Sequence, residues 1–131
     1  MSRYVTDTHP LVWHILGGAR LSPTARTIFA NADAGVHQIL IPSIVLVEAI
    51  YLAEKKRIDP SSLDRLFHLL DLAPANYAVV PLDMGVVRTL RAVKRLEMPD
   101  RIIVATAQHL GVELITKDAG IAAARIVPTV W

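Results

Sequence analysis

Apolar and polar positions along this chain alternate between two periods, short β-prone runs and longer stretches with helical spacing. Tyr4-Val-Thr6 is a first short strand. Pro10 then falls where a helix begins, and Leu11, Val12, Ile15 and Leu16 form its apolar face until Gly17-Gly18 ends it. Ser22-Pro23 opens a second helix that buries Ile28, Phe29 and Ala32. Gln38–Ile41 is a second strand closed by Pro42, and Ser43 is the expected cap of a long helix reaching about Lys56. On that helix Ile44, Val47, Ile50, Tyr51 and Leu52 make a wide apolar face. Pro60-Ser61-Ser62 starts a helix through Leu63, Leu66, Phe67 and Leu70. A third strand, Tyr77–Val80, precedes an Asp83-capped helix carrying Val86, Val87, Leu90 and Val93. Pro99-Asp100 begins a helix with Ile102, Ile103, Ala105, Thr106 and Leu110. Glu113–Thr116 and Arg125–Pro128 read as strands four and five.

Strands alternating with helices predict βαβ units: a three-layer α/β/α fold around a central, mainly parallel sheet of four to five short strands. With 131 residues, no repeat and no linker, the expectation is one domain over residues 1–131. The longest apolar stretch, Ile39 to Val47, is interrupted by Pro42-Ser43 and stopped by Glu48, well short of the about 20 residues a membrane span needs. The N-terminus is polar by Ser2 and acidic at Asp7, which predicts no signal peptide and a cytoplasmic protein.

Composition narrows the chemistry. The absence of cysteine excludes a disulfide framework, a thiolate zinc site, an iron–sulfur cluster and a cysteine nucleophile. The five histidines include no i,i+4 pair and no H-E-x-x-H, which argues against a zinc hydrolase, and each reads as a surface or capping residue. Gly17-Gly18 belongs to no phosphate-binding motif, and no G-x-S-x-G supports a serine hydrolase. A receiver domain would need an acidic pair after strand one, and a haloacid-dehalogenase-type phosphatase D-x-D, where this chain has Asp7-Thr8-His9.

What remains is carboxylate chemistry. Ligands of open parallel sheets sit beyond the carboxyl ends of the strands. Asp7 follows strand one, Asp118 follows strand four, and Asp100 lies in the first turn of a helix. Each alone reads as a helix cap. Glu48 is different, because its i±3 and i±4 neighbours are Ile44, Val45, Tyr51 and Leu52. A carboxylate on such a face needs either an ion pair with an arginine or a place in an acidic, metal-binding pocket. Oxygen donors alone would select Mg²⁺ or Mn²⁺ over zinc.

Four segments, Tyr4-Val-Thr-Asp7-Thr-His, Ile41-Pro-Ser-Ile-Val-Leu-Val-Glu48-Ala, Pro99-Asp100-Arg-Ile-Ile-Val-Ala-Thr-Ala and Leu114-Ile-Thr-Lys-Asp118, resemble in order and spacing the PIN-domain nucleases, and within them the VapC-type toxins. The resemblance spans essentially the whole chain and implies a PIN-like fold. It implies a metal-dependent endoribonuclease whose acidic quartet is Asp7, Glu48, Asp100 and Asp118, with Mg²⁺ or Mn²⁺ as cofactor. Asp7 and Asp100 match the usual direct metal ligands, Asp118 the family's most variable acid, and Thr116 the small hydroxyl residue that accompanies it. Glu97 stands where many relatives have an Asp and is left out of the site. The implied partners are an RNA substrate, a VapB-type antitoxin whose C-terminal segment fills the active-site groove, and a second copy in a homodimer. Trp13 and the Tyr51–Leu52 pair are candidate apolar contacts for that antitoxin. The alternatives are an RNA-processing nuclease without antitoxin and a non-catalytic RNA- or protein-binding module.

Charge fits a polyanionic substrate. Setting the quartet aside leaves eight of twelve acids against fourteen bases, so a net +2 hides about +6 around a −4 pocket. Arg101 and Lys117, each next to a quartet acid, are candidate phosphate contacts. Arg88, Arg91 and Arg95 would form one helical stripe, and Lys55-Lys56-Arg57 end the helix of Glu48; both also read as ordinary solvated charge.

Overall fold

A computed structural model describes all residues 1–131. Five strands and seven helices follow one another as β1 (Ser2–Thr6), α1 (Thr8–Ile15), α2 (Pro23–Asp33), β2 (His37–Pro42), α3 (Ser43–Glu54), α4 (Ser61–Leu72), β3 (Tyr77–Val80), α5 (Met84–Leu90), α6 (Asp100–Leu110), β4 (Glu113–Ile115), α7 (Ala119–Ala124) and β5 (Thr129–Val130). The sheet is wholly parallel in the order β3-β2-β1-β4-β5. Parallel strands need crossovers, and crossovers are right-handed. The chain therefore lays α1–α4 on one face as it steps outward from β1 to β3. It lays α5–α7 on the other as it returns to β4 and β5, which is the expected three-layer α/β/α fold.

Central strands covered on both faces must be apolar throughout. Ile39 and Ile41 of β2 and Leu114 and Ile115 of β4 are fully buried, and Val5 of β1 joins them. Leu11, Phe29, Val45, Leu66, Ile103 and Ile121 pack onto them from the helices. One polar tie crosses this packing: the buried Tyr77 hydroxyl on β3 donates to Asp33 at the end of α2, and His14 of α1 pairs with the same carboxylate at 3.2 Å. No helix is long and apolar enough to cross a membrane.

Four local expectations are corrected. The fifth strand lies at Thr129–Val130 rather than Arg125–Pro128, because Arg125 ends α7 with a left-handed φ of 51° that no strand accepts. The helix of Asp83 stops at Leu90, so Val93 is buried from a loop rather than from a helix. Ser43 does not cap α3; its hydroxyl accepts from the Leu82 N–H at 3.2 Å and ties the start of α3 to the segment after β3. On α3 the buried residues are Val45, Ala49, Leu52 and Ala53, whereas Val47, Ile50 and Tyr51 face solvent.

Candidate acidic active site

The strand order reverses between β1 and β4: from β1 the chain moves outward in one direction, and from β4 in the other. The crevice beyond their carboxyl ends is where ligands of open parallel sheets bind. The Asp7 N–H donates to Ile115 O at 2.9 Å, so β1 and β4 stay paired up to the edge of the crevice.

Each quartet member arrives on a different element. Asp7 directly follows β1 and caps α1, accepting from the Thr8 N–H at 2.8 Å. Asp118 follows β4 and caps α7, accepting from the Ile121 N–H at 2.9 Å. Asp100 opens α6, yet its side chain caps nothing. Glu48 sits in the second turn of α3, which packs against α1 and α6. The helix-cap role expected of a lone aspartate thus holds for Asp7 and Asp118, with Asp100 outside it. Glu48 forms no ion pair with any arginine, since the pairing of His14 with Asp33 is the only salt bridge in the chain. Instead its Oε1 accepts from the buried Thr8 hydroxyl.

Two threonines hold the carboxylates in place. Thr116, buried at the end of β4, donates its hydroxyl to Asp7 Oδ2 at 2.7 Å and accepts from the Asp118 N–H at 3.0 Å. One side chain therefore joins the first and last acids across the switch point. Thr8 does the same for Glu48, a role the sequence reading missed. Its signal was the hydroxyl residue directly after Asp7, at the start of a helix that faces α3.

Charge shows how near the four acids lie. Burial first, and then the charges of Asp7, Asp118 and Glu48 in that order, together raise the Asp100 pKa to about 6. Asp7 is also raised, mainly by burial and slightly by Asp118, against the lowering pull of the Thr116 and Thr8 hydrogen bonds and of His9. The carboxylates feel one another without closing around a point, and no three acidic or histidine side chains form a ready-made metal cluster. Their donor chemistry nevertheless fits a hard divalent cation: all oxygen, no sulfur, and a repulsion that such an ion offsets.

A carboxyl raised in the folded state binds its proton more tightly there than in the unfolded chain. Folding stability is then greatest below the unfolded value of 3.8 and falls as pH rises toward the folded value of about 6. In metal-free protein, the Tm of Asp100→Asn minus that of wild type should be near zero at pH 4 and positive at pH 7. The corresponding stability gain at pH 7 is on the order of 1 kcal/mol once solvent screening of this half-exposed group is counted. Differential scanning calorimetry over that range measures it.

If the Asp7 carboxylate ligates a cation in an RNA-cleaving site, Thr116→Val should lower that activity about 10–100-fold, since Thr116 orients the carboxylate. Steady-state cleavage kinetics measure that loss, and circular dichroism should show the fold intact.

The basic candidates separate. Lys117 is exposed, with Nζ 5.7 Å from the centre of the Trp13 ring. Arg101 is turned into the fold: its guanidinium donates to Val93 O at 2.5 Å and Leu90 O at 2.7 Å, fastening the loop after α5 to α6. The stripe of Arg88, Arg91 and Arg95 is broken, because α5 ends at Leu90 and Arg95 adopts a left-handed φ of 69° in the loop beyond.

Comparison with known proteins places this geometry. A profile of the PIN domain matches residues 4–127. No curated protein matches the chain by sequence. Among solved structures, it superposes on a chain of VapBC2 from Rickettsia felis bound to a promoter DNA fragment, with a TM-score of 0.73 at 15% identity over 98% of this chain and 97% of that one. It superposes on a chain of DNA-bound VapBC from Salmonella typhimurium with a TM-score of 0.70 at 16% identity, over 99% and 98%. A toxin–antitoxin complex from Klebsiella pneumoniae gives a TM-score of 0.63 at 21% identity, over 98% and 96%. At these identities the structures share the fold, and with the profile covering nearly the full length, the chain belongs to the PIN-domain family.

Proposed function

We propose that this protein is a Mg²⁺- or Mn²⁺-dependent endoribonuclease, the VapC-type toxin of a cytoplasmic toxin–antitoxin pair. The observation that supports this best is the electrostatic convergence on Asp100 of Asp7, Asp118 and Glu48, carried to one sheet edge by separate elements. In a fold whose family consists largely of nucleases, an acidic edge without arginine partners favours a cation and a phosphodiester over a structural ion pair.

In this reading Asp7 and Asp100 hold the ion. When bound, a divalent cation supplies positive charge at the scissile phosphate and lowers the pKa of a water. The residues do the rest. Thr116 and the Thr8 N–H fix the Asp7 carboxylate, so its orientation costs nothing at the moment of binding. Thr8 occupies Oε1 of Glu48, leaving Oε2 to ligate or to orient the attacking water. Asp118, with Oδ1 engaged by α7, offers its other oxygen to a second ion or an ordered water.

Exposed apolar side chains supply faces for protein partners. Val47, Ile50 and Tyr51 project from α3 beside Glu48, suited to an antitoxin segment that blocks the site. Leu82, Met84 and Val87, before and on α5, suit a second copy in a homodimer. Leu52, also read as an antitoxin contact, is 6% exposed and belongs to the core.

Expression of the chain alone should arrest growth of a bacterial host, and Asp7→Asn should abolish the arrest. Harmless expression of a folded enzyme that cuts RNA in vitro would leave an RNA-processing nuclease and remove the toxin. A purified protein that cuts no RNA with either metal would leave the non-catalytic binding module.

A further inference from the structure

Next to the acidic edge lies a cleft of about 350 Å³ that the hydrolytic residues do not use, lined by His9, Trp13, Arg20, Arg57, Ile58 and Asp59 among others. His9 and Trp13 are one turn apart on α1, the helix capped by Asp7, so the cleft begins within a turn of the site. The Trp13 ring is half-buried and held from one edge by Trp131, ring centres 5.9 Å apart. Arg20 lies 6.0 Å from its centre, Lys117 5.7 Å and the His9 ring 5.7 Å. A single cation over an indole is an ordinary contact. Here Arg20 and Lys117 stand over the ring while Arg20 and Arg57 line the cleft, and none of the three is ion-paired. The sole acid of the lining, Asp59, is engaged by the Ser61 N–H at 2.9 Å.

An indole with unpaired cations standing over it has the chemistry of a single-stranded nucleic-acid site: the base takes the place of a cation on the ring and the cations swing onto its phosphates. The volume falls at the lower end of clefts that hold a small molecule, about 300–1,000 Å³. Lys117 follows Thr116 and precedes Asp118, so a phosphate on its ammonium lies along the route to the scissile position.

We propose that this cleft is a base subsite of the enzyme, stacking on Trp13 one unstacked base of a single-stranded RNA adjacent to the cleaved bond, with Arg20, Arg57 and Lys117 on the flanking phosphates. Duplex RNA, whose bases stay stacked, is excluded from it. The subsite rests on the nuclease reading, and its test separates the two.

Trp13 and Trp131 are the only tryptophans. Trp131→Phe therefore leaves Trp13 as the sole indole, and adding Asp100→Asn prevents cleavage during titration. A single-stranded ribo-oligomer should quench Trp13 emission, with a midpoint matching the Kd from fluorescence anisotropy of the labelled oligomer. A duplex of equal length should not quench. In the otherwise wild-type chain, Arg20→Ala with Arg57→Ala changes two exposed side chains. It should raise KM about tenfold, with the loss carried by KM rather than kcat, and flatten the salt dependence of binding by about two phosphate contacts. Silent Trp13 emission while anisotropy reports binding overturns the subsite and leaves the nuclease standing, as does an unchanged KM and salt slope. A wild-type protein that neither binds nor cuts RNA with Mg²⁺ or Mn²⁺ overturns both.

Discussion

Asp100→Asn should cost about a thousandfold in RNA cleavage while leaving the protein as stable as wild type or more so at pH 7. The two effects share one cause. Asp100 opens α6 without capping it and accepts no hydrogen bond from a backbone N–H. Its carboxylate is half-buried beside three others, and the folded state raises its pKa to about 6. Removing the charge relieves that repulsion, whereas removing an anionic oxygen from a metal site forfeits several kcal/mol of charge stabilisation, with each 1.4 kcal/mol worth about tenfold in rate. A purely structural acid behaves in the opposite way, since its loss lowers Tm and spares catalysis. Thermal melts without metal and single-turnover cleavage with Mg²⁺, on the same preparation, decide between them. A drop in Tm of several degrees with activity retained would place Asp100 in the scaffold.

The second large effect is Ile115→Ala. Ile115 is fully buried at the last position of a three-residue strand, paired with Thr6 of β1 and Val130 of β5. Its carbonyl accepts the Asp7 N–H, and Thr116 follows it directly. Truncation should destabilise by about 2–5 kcal/mol through lost transfer energy and the cavity left behind. For a chain of this length that lowers Tm by roughly 6–20 °C. Activity per folded molecule should fall as well, because β4 has no spare length with which to hold Thr116 and Asp118 at the switch point. Val47→Ala on the exposed face of α3 is the control and should change stability by no more than about 0.5 kcal/mol. Denaturant titrations compare the two, and equal midpoints would show that β4 does not anchor the site.

Much of this architecture was legible because its signals are local. Ile39 and Ile41 form an unbroken apolar run bounded by Pro42, and Asp7 stands at the junction of a strand and a Pro-containing helix start, so both strand and crevice could be located. Helix α7 was not legible: Ala119–Ala124 reads AGIAAA, with one large apolar residue and an internal glycine, and gives no periodicity to detect. The same gap displaced the fifth strand, whose pairing with β4 begins only at the Pro128 carbonyl.

Tertiary context decided the remaining differences. Val47, Ile50 and Tyr51 have the spacing of a buried face, but apolar residues also occur on surfaces, and nothing in the spacing tells the two apart. Glu48 was singled out for lying among apolar neighbours, and the outcome is more specific. Val45 and Leu52 flank it on the buried side, Tyr51 on the exposed side, and Thr8 from α1 supplies its hydrogen bond. That contact joins residues 40 apart, beyond the reach of any local pattern. Arg101 is a candidate phosphate contact by its place next to Asp100 in sequence, yet its guanidinium turns to the Val93 and Leu90 carbonyls in the connection from α5.

The proposed function requires that four carboxylates at the β1–β4 switch point form a divalent-metal site that cuts RNA. Cleavage-site mapping on total RNA tests it most directly, comparing wild type and Asp7→Asn, each with Mg²⁺ and with chelator. Discrete new RNA ends found only with wild type and Mg²⁺ are the predicted result. Equal cutting by Asp7→Asn, or by wild type in chelator, would contradict it.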